Sequence, residues 1–153
     1  MNEPLAGADR STTTSGSARL RTYTTPDTGR TPVVFLHAGV CDSRMWHHEI
    51  AALGATRRLV AFDRRGYGET KAAHERYLNV DDTLAVMDAA GVARAVFVGC
   101  SMGGRLALDV YFAHPDRVAG LVLICAGIGG APEDGAEWST NERMKASYAR
   151  FLE

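Results

Sequence analysis

Nothing in this chain of 153 residues is long and apolar enough to cross a bilayer. Its longest uncharged run, 118–132, is short and broken by glycine. No export signal is visible either, because residues 1–20 are polar, rich in serine and threonine, and lack an apolar centre. A disordered tail over 1–18 is expected. Cysteine is scarce: the three thiols, Cys41, Cys100 and Cys125, stand far apart in sequence with no C-x-x-C pair, which argues against a disulfide framework and against a zinc site. A reducing, cytoplasmic setting follows. An excess of one charge is also lacking. With a formal net charge of -1 and scattered lysines and arginines, no basic patch calls for nucleic acid or an anionic membrane as partner. The remaining composition, 46% hydrophobic and 23% charged, is that of one globular domain.

What the chain does contain is centred on 94–108, RAVFVGCSMGGRLAL. Val96, Phe97 and Val98 make the β-branched and aromatic run of a buried parallel strand. Leu106, Ala107 and Val110 carry helical spacing after it. Between them, Gly99-Cys100-Ser101-Met102-Gly103 spells G-x-S-x-G, a serine forced onto a sharp strand-to-helix turn. Such a turn crowds the positions two before and two after the serine, and Gly99 and Gly103 lack the bulk that would clash there. The helix that begins here aims free backbone N–H groups at charge developing near Ser101, which suits an oxyanion. Cys100 points away from Ser101, since side chains alternate along an extended segment, and is read as packing.

The rest of the chain alternates strands and helices. Residues 19–25 suit a sheet-edge strand before a turn at Pro26–Gly29. Thr31–Leu36 is a strand covered on both faces and leads into His37-Ala38-Gly39-Val40. Asp42 caps a helix with Met45, Trp46, Ile50 and Leu53 on one face. A buried strand over 58–62 ends in the polar glycine loop Asp63–Thr70. A helix over 80–90 stops at Gly91. After His114-Pro115, Val118–Cys125 reads as a further strand buried on both faces, and 137–153 as an amphipathic helix. This alternation, without an internal repeat, gives an α/β fold with a doubly wound, mainly parallel sheet, whose site lies at the carboxyl ends of the strands, where His37, Asp63 and Ser101 fall.

Taken in order, these pieces resemble the N-terminal half of the α/β-hydrolase family over about 31–126. His37-Ala38-Gly39-Val40 is similar to the family's H-G-x oxyanion loop, with Ala38 in place of the usual glycine. Asp63–Thr70, DRRGYGET, is similar to its D-x-R-G-x-G-x-S loop, with threonine in place of serine. GCSMGG is similar to its nucleophile elbow, and HPDRVAGLVLI to its passage into the next strand. The resemblance implies a domain over 19–130 that is the N-terminal part of such a hydrolase and incomplete at the C-terminus, with 131–153 beginning a cap.

It further implies that Ser101 is the nucleophile and that the Met102 N–H is one oxyanion donor, with Gly39 or Val40 as the other. His37, Gly99 and Gly103 then serve the architecture of the motif. A serine at the elbow favours acyl chemistry on esters, lactones or thioesters over the alkyl-enzyme chemistry of family members that carry aspartate there. No cofactor and no metal is called for, and the partner is a small-molecule substrate.

A serine hydroxyl needs a base. Only His114 follows Ser101, and it lies at the far end of the same helix, about 20 Å away at 1.5 Å per residue. His37 precedes Ser101 and anchors the oxyanion loop. His47, His48 and His74 read as surface residues, and Glu133 and Asp134 as exposed charges. The catalytic acid and histidine are therefore expected beyond residue 153, and the chain as given is expected to be inactive. A non-catalytic binding or interaction protein of the same fold is the alternative. Because nothing after 118–125 supplies a next strand, self-association through an exposed sheet edge is expected.

Overall fold

In the computed structural model, which describes residue 5 and residues 7–127, a six-stranded sheet runs in the order β1-β2-β4-β3-β5-β6. The strands are β1 Asp9–Ser15, β2 Ala18–Thr24, β3 Val33–Leu36, β4 Leu59–Phe62, β5 Ala95–Cys100 and β6 Val118–Ile124. Strands β4, β3, β5 and β6 are parallel to one another, and β1 and β2 join antiparallel at one side. Three helices connect them: α1 His47–Leu53, α2 Asn79–Ala89 and α3 Met102–Ala113.

The central strands read as continuous apolar runs because both of their faces are covered. In β3, Val34 and Leu36 enter a core shared with Val86 and Met87 of α2 and with Leu106, Ala107 and Val110 of α3. Val33 and Phe35 enter the opposite core with Trp46 and Ile50 of the α1 side. Strand β4 alternates in the same way, with Val60 and Phe62 to one side and Leu59 and Ala61 to the other. The chain leaves β3 toward β4 on one side and later returns as β5 on the other. The loops after β3 and β5 therefore flank the point where the winding reverses, the place where sheets of this kind leave a crevice.

Several expectations are corrected. The tail expected over 1–18 is ordered in part: Asp9–Ser15 form β1, paired with β2 through a tight Gly16-Ser17 turn in which Gly16 takes φ +54. Threonine is β-branched and favours strands once a partner supplies the hydrogen bonds, and here Thr22 Oγ1 donates to Thr13 Oγ1 at 3.2 Å across the buried face. Strand β2 is consequently interior, and β1 holds the edge. The run 118–125 does form β6, but it is not buried on both faces: Val122, Leu123 and Ile124 are each exposed by 40% or more. Among the described residues β6 pairs only with β5. Of the helix led by Asp42, Ser43–Trp46 is a 3-10 turn that Asp42 caps through the Arg44 N–H. The expected helix over 137–153 and the cap region 131–153 lie outside the described residues.

Candidate active site

Ser101 sits where β5 ends and α3 begins, exposed, with φ 52 and ψ -115. A non-glycine residue in that region carries strain of about 1–3 kcal/mol and is held there by its surroundings. Two hydrogen bonds hold this one. The Ser101 N–H donates to the Ile124 carbonyl at 2.8 Å, and the Ser101 carbonyl accepts from the Arg105 N–H at 3.0 Å.

The glycines around it leave no room for side chains. A Cβ on Gly99 would lie 2.6 Å from the Gly104 nitrogen, and one on Gly103 would lie 2.7 Å from the His37 carbonyl oxygen and would overlap the Leu36 carbonyl. The start of α3 is therefore seated directly on the end of β3. That seating carries the loop after β3 to the serine: a Cβ on Gly39 would overlap the Met102 sulfur. The Ala38 N–H points to the Met45 sulfur at 3.3 Å, and the Cys41 N–H donates to the Ala38 carbonyl at 3.2 Å. Between them, neither the Gly39 nor the Val40 N–H donates to a backbone carbonyl among the described residues. Val40 stands almost fully in solvent.

His37 is completely buried, and both ring nitrogens are engaged. Nε2 accepts the Arg64 N–H at 3.0 Å, which fixes the proton on Nδ1, where it is donated to the Ala38 carbonyl at 2.7 Å. Burial pushes its pKa below the ordinary histidine value and keeps the ring neutral. The Arg64 guanidinium reinforces the joint by donating to the His37 carbonyl at 3.1 Å, and it lies 5.0 Å over the Tyr67 ring, which meets His37 edge-on. His37 thus ties the loop after β3 to the loop after β4, with no nitrogen left to act as a base.

Asp63 is equally committed. One carboxylate oxygen accepts from the Ser43 N–H at 2.9 Å and the Ser43 hydroxyl at 2.5 Å, and the other accepts from the Glu69 N–H at 2.8 Å. Its own carbonyl accepts the Thr70 hydroxyl at 2.5 Å, which ties the end of that loop back to its start. Sequence reasoning missed the next residue. Arg65 is buried, forks onto Asp82 of α2 with Nε–Oδ2 at 2.8 Å and Nη2–Oδ1 at 3.0 Å, donates to Glu75 at 2.7 Å and to the Ser15 carbonyl at 2.9 Å, and lies 4.5 Å over the Tyr77 ring. Hydrogen bonding to Arg65 holds the Glu75 carboxyl down at about 2. The signal was the second arginine of the DRRG run, whose partners lie too far along the chain to be assigned by spacing.

The other candidates fall away from Ser101. His114 ends α3, a whole helix from the serine. His47 and His48 are exposed, their rings 3.6 Å apart, and His74 is exposed. Trp46 is core, packed on Phe35 at 5.0 Å. Cys100 packs on the α1-side core; burial raises its pKa, and the neighbouring Cys125 and Cys41 add to the effect. Glu133 and Asp134 lie outside the described residues. Among the described residues no cluster of histidine, cysteine and carboxylate side chains could hold a metal, and no helix is long and apolar enough to cross a membrane.

A family model for the alpha/beta hydrolase fold matches residues 31–150. The chain is 38% identical over 121 residues to the dihydrolipoyllysine-residue acetyltransferase component of the acetoin cleaving system of Pseudomonas putida, covering 76% of this chain and 32% of that one. It is 37% identical over 131 residues to epoxide hydrolase B of Mycobacterium tuberculosis, covering 80% of this chain and 36% of the other. Among solved structures it is similar to Est816, described as an N-acyl homoserine lactone degrading enzyme, with a TM-score of 0.72 and 28% identity over 88% of this chain and 54% of that chain. The chain thus spans about a third of the length of those two relatives.

Proposed function

The chain belongs to the alpha/beta hydrolase fold family, and on that premise we propose that it carries the nucleophile and oxyanion site of a serine hydrolase acting on an ester-type small molecule, a carboxylic ester, lactone or thioester. The observation that carries this is the strained Ser101 at the β5–α3 turn with Gly39 set against Met102. The Ser101 hydroxyl oxygen attacks the acyl carbon as a base takes its proton, and the carbonyl oxygen becomes an oxyanion. The Met102 N–H at the helix start and the Gly39 N–H, or that of Val40, receive this charge, and donors of this kind contribute about 3–4 kcal/mol each to the transition state. Collapse expels the alcohol, enol or thiol with the returned proton. Water then releases the acid and restores Ser101.

Relatives of this chain act on epoxides by name, others on lactones. The serine at position 101 selects the lactone and ester side of that range, because it forms an acyl-enzyme. The base is the missing part: all five histidines lie within the described residues, His37 is spent on its hydrogen bonds, and His114 sits at the far end of α3. We place the acid and the histidine outside these 153 residues, with 19–130 as the N-terminal part of the hydrolase domain and 131–153 opening a cap. A reducing, cytoplasmic compartment suits the three free thiols.

The same lack of a histidine favours a second reading, a binding protein of this fold that does no chemistry. Hydrolysis of p-nitrophenyl acetate and butyrate separates the two. Assayed alone, the chain is expected to remain within about a thousandfold of water, the residue left by an oxyanion hole and binding without the triad. A longer form that brings an acid and a histidine is expected to turn over, and Ser101→Ala to abolish that turnover. A longer form that stays inactive yet binds the acyl compound establishes the second reading.

A further inference from the structure

The far side of the sheet from β6 carries a cationic cleft that the chemistry at Ser101 does not use. Strand β2 alternates: Ala18, Leu20 and Thr22 are buried, so Arg19 and Arg21 point to the opposite face. The loop after β4 folds back onto this end of the hairpin. There the Arg19 N–H donates to the Lys71 carbonyl at 2.7 Å and the Lys71 N–H to the Arg19 carbonyl at 3.2 Å, an isolated antiparallel bridge. Residues bridged in this way stand directly opposite and place their side chains on the same side, where two like charges destabilise each other. Among the described residues neither Arg19 nor Lys71 reaches a carboxylate within ion-pair distance.

Arg21 is the third cation of the same cleft. Its Nη1 is anchored on the Ser11 carbonyl and the Thr12 hydroxyl, while its Nε, buried without an aligned hydrogen bond, forms an ion pair with the Glu69 carboxylate at 3.4 Å. Glu69, the carboxylate that lines the space, is shared between Arg21 and Arg10 of β1, which leaves Arg19 and Lys71 as the cations for a ligand. The cleft between these groups has a volume of about 470 Å³, several times that of a phosphate ion, so an organic moiety fits beside the charge.

We propose that this cleft binds a doubly charged oxyanion, a phosphate group on a small soluble molecule, held between Arg19 and Lys71. The anion supplies the counter-charge that the Arg19–Lys71 bridge lacks among the described residues. Charge-assisted hydrogen bonds from guanidinium and ammonium groups are those that recognise phosphate. The site lies against β2 and the loop after β4, whereas Ser101 follows β5 beyond β3, and it stands or falls independently of the reading of Ser101.

The test is a titration of the full chain with glucose 6-phosphate and with inorganic phosphate, read by the backbone amide shifts of Arg19, Arg21 and Lys71, with sodium chloride at matched ionic strength as reference. Saturable shifts with the phosphates and none with chloride are expected. Lys71→Ala is expected to weaken binding about tenfold, the loss of one charge-assisted contact, Lys71→Arg to retain it, and Arg19→Thr to repeat the effect at the partner position. In phosphate-free buffer Lys71→Ala should melt at a higher temperature than the natural chain, because the repulsion is gone, and added phosphate should raise the melting temperature of the natural chain more than that of Lys71→Ala. Shifts that follow ionic strength alone, or binding unchanged in both Lys71→Ala and Arg19→Thr, overturn the proposal. Sedimentation with phosphatidylcholine vesicles containing phosphatidic acid, without a response to glucose 6-phosphate, would assign the phosphate to a membrane and overturn the soluble ligand.

Discussion

Gly39 lies against the side chain of Met102, so close that a Cβ on the glycine would overlap the methionine sulfur. Two loops far apart in sequence, one after β3 and one after β5, therefore meet beside Ser101. Their meeting depends on Gly103, whose bare Cα lets α3 rest on the Leu36 and His37 carbonyls.

The backbone of Ser101 stores strain that glycine would not feel. With φ 52 and ψ -115, Ser101→Gly is expected to stabilise the chain by about 1 kcal/mol, whereas Ser101→Ala, which keeps a Cβ, should leave stability within about 0.5 kcal/mol. Urea midpoints of the two variants measure this. Equal midpoints would show that the turn is unstrained.

Stability should depend on pH through His37. Burial lowers its folded-state pKa below the ordinary 6.5, so the unfolded chain takes up the proton first. This contribution to stability is intact above about 6.5 and is lost as pH falls through that value toward the folded pKa. His37→Gln is expected to be less stable at neutral pH, having lost the paired ring, but to show a flatter decline on acidification. Urea unfolding between about pH 5 and 8 gives both slopes, and identical slopes would remove His37 from the pH response.

Arg65 and Asp82 form a buried pair, with side-chain exposures of 5% and 2%. Asp82→Ala leaves the guanidinium with the half-exposed Glu75 as its carboxylate partner. The expected cost is about 3–5 kcal/mol, while Asp82→Asn, which still accepts a hydrogen bond, should cost less. A thermal melt of each decides it, and a loss below about 1 kcal/mol in Asp82→Ala would mean that the pair is not desolvated.

An open edge with apolar side chains invites a second copy. Since β6 pairs only with β5 among the described residues and shows Val122, Leu123 and Ile124 to solvent, this chain is expected to self-associate as its concentration rises. Sedimentation velocity should resolve species heavier than the monomer, and Leu123→Lys should reduce them. A single monomeric species over the accessible concentration range would contradict the expectation.

The strands β3, β4 and β5, the helix α3 and the loops that follow each strand were legible in the sequence, because their signals are local: apolar runs of strand length, helical spacing, and glycines at fixed offsets from Ser101. The role of His37 as an anchor was legible as a resemblance, but its locked neutral ring was not, since the Arg64 N–H that fixes the tautomer comes from the next strand's loop. Long-range pairing decided the rest. A threonine run is a polar tail until β2 offers it a ladder, and then it is β1. Asp63 is a bare carboxylate until Ser43 and the Glu69 N–H surround it. Arg65 finds Asp82, Glu75 and Ser15 only when three separate segments are folded around it, and Arg19 faces Lys71 only when the loop after β4 closes on the hairpin. Periodicity records which face of an element is buried, whereas the partner of a polar side chain is set by chain crossings that no local pattern encodes.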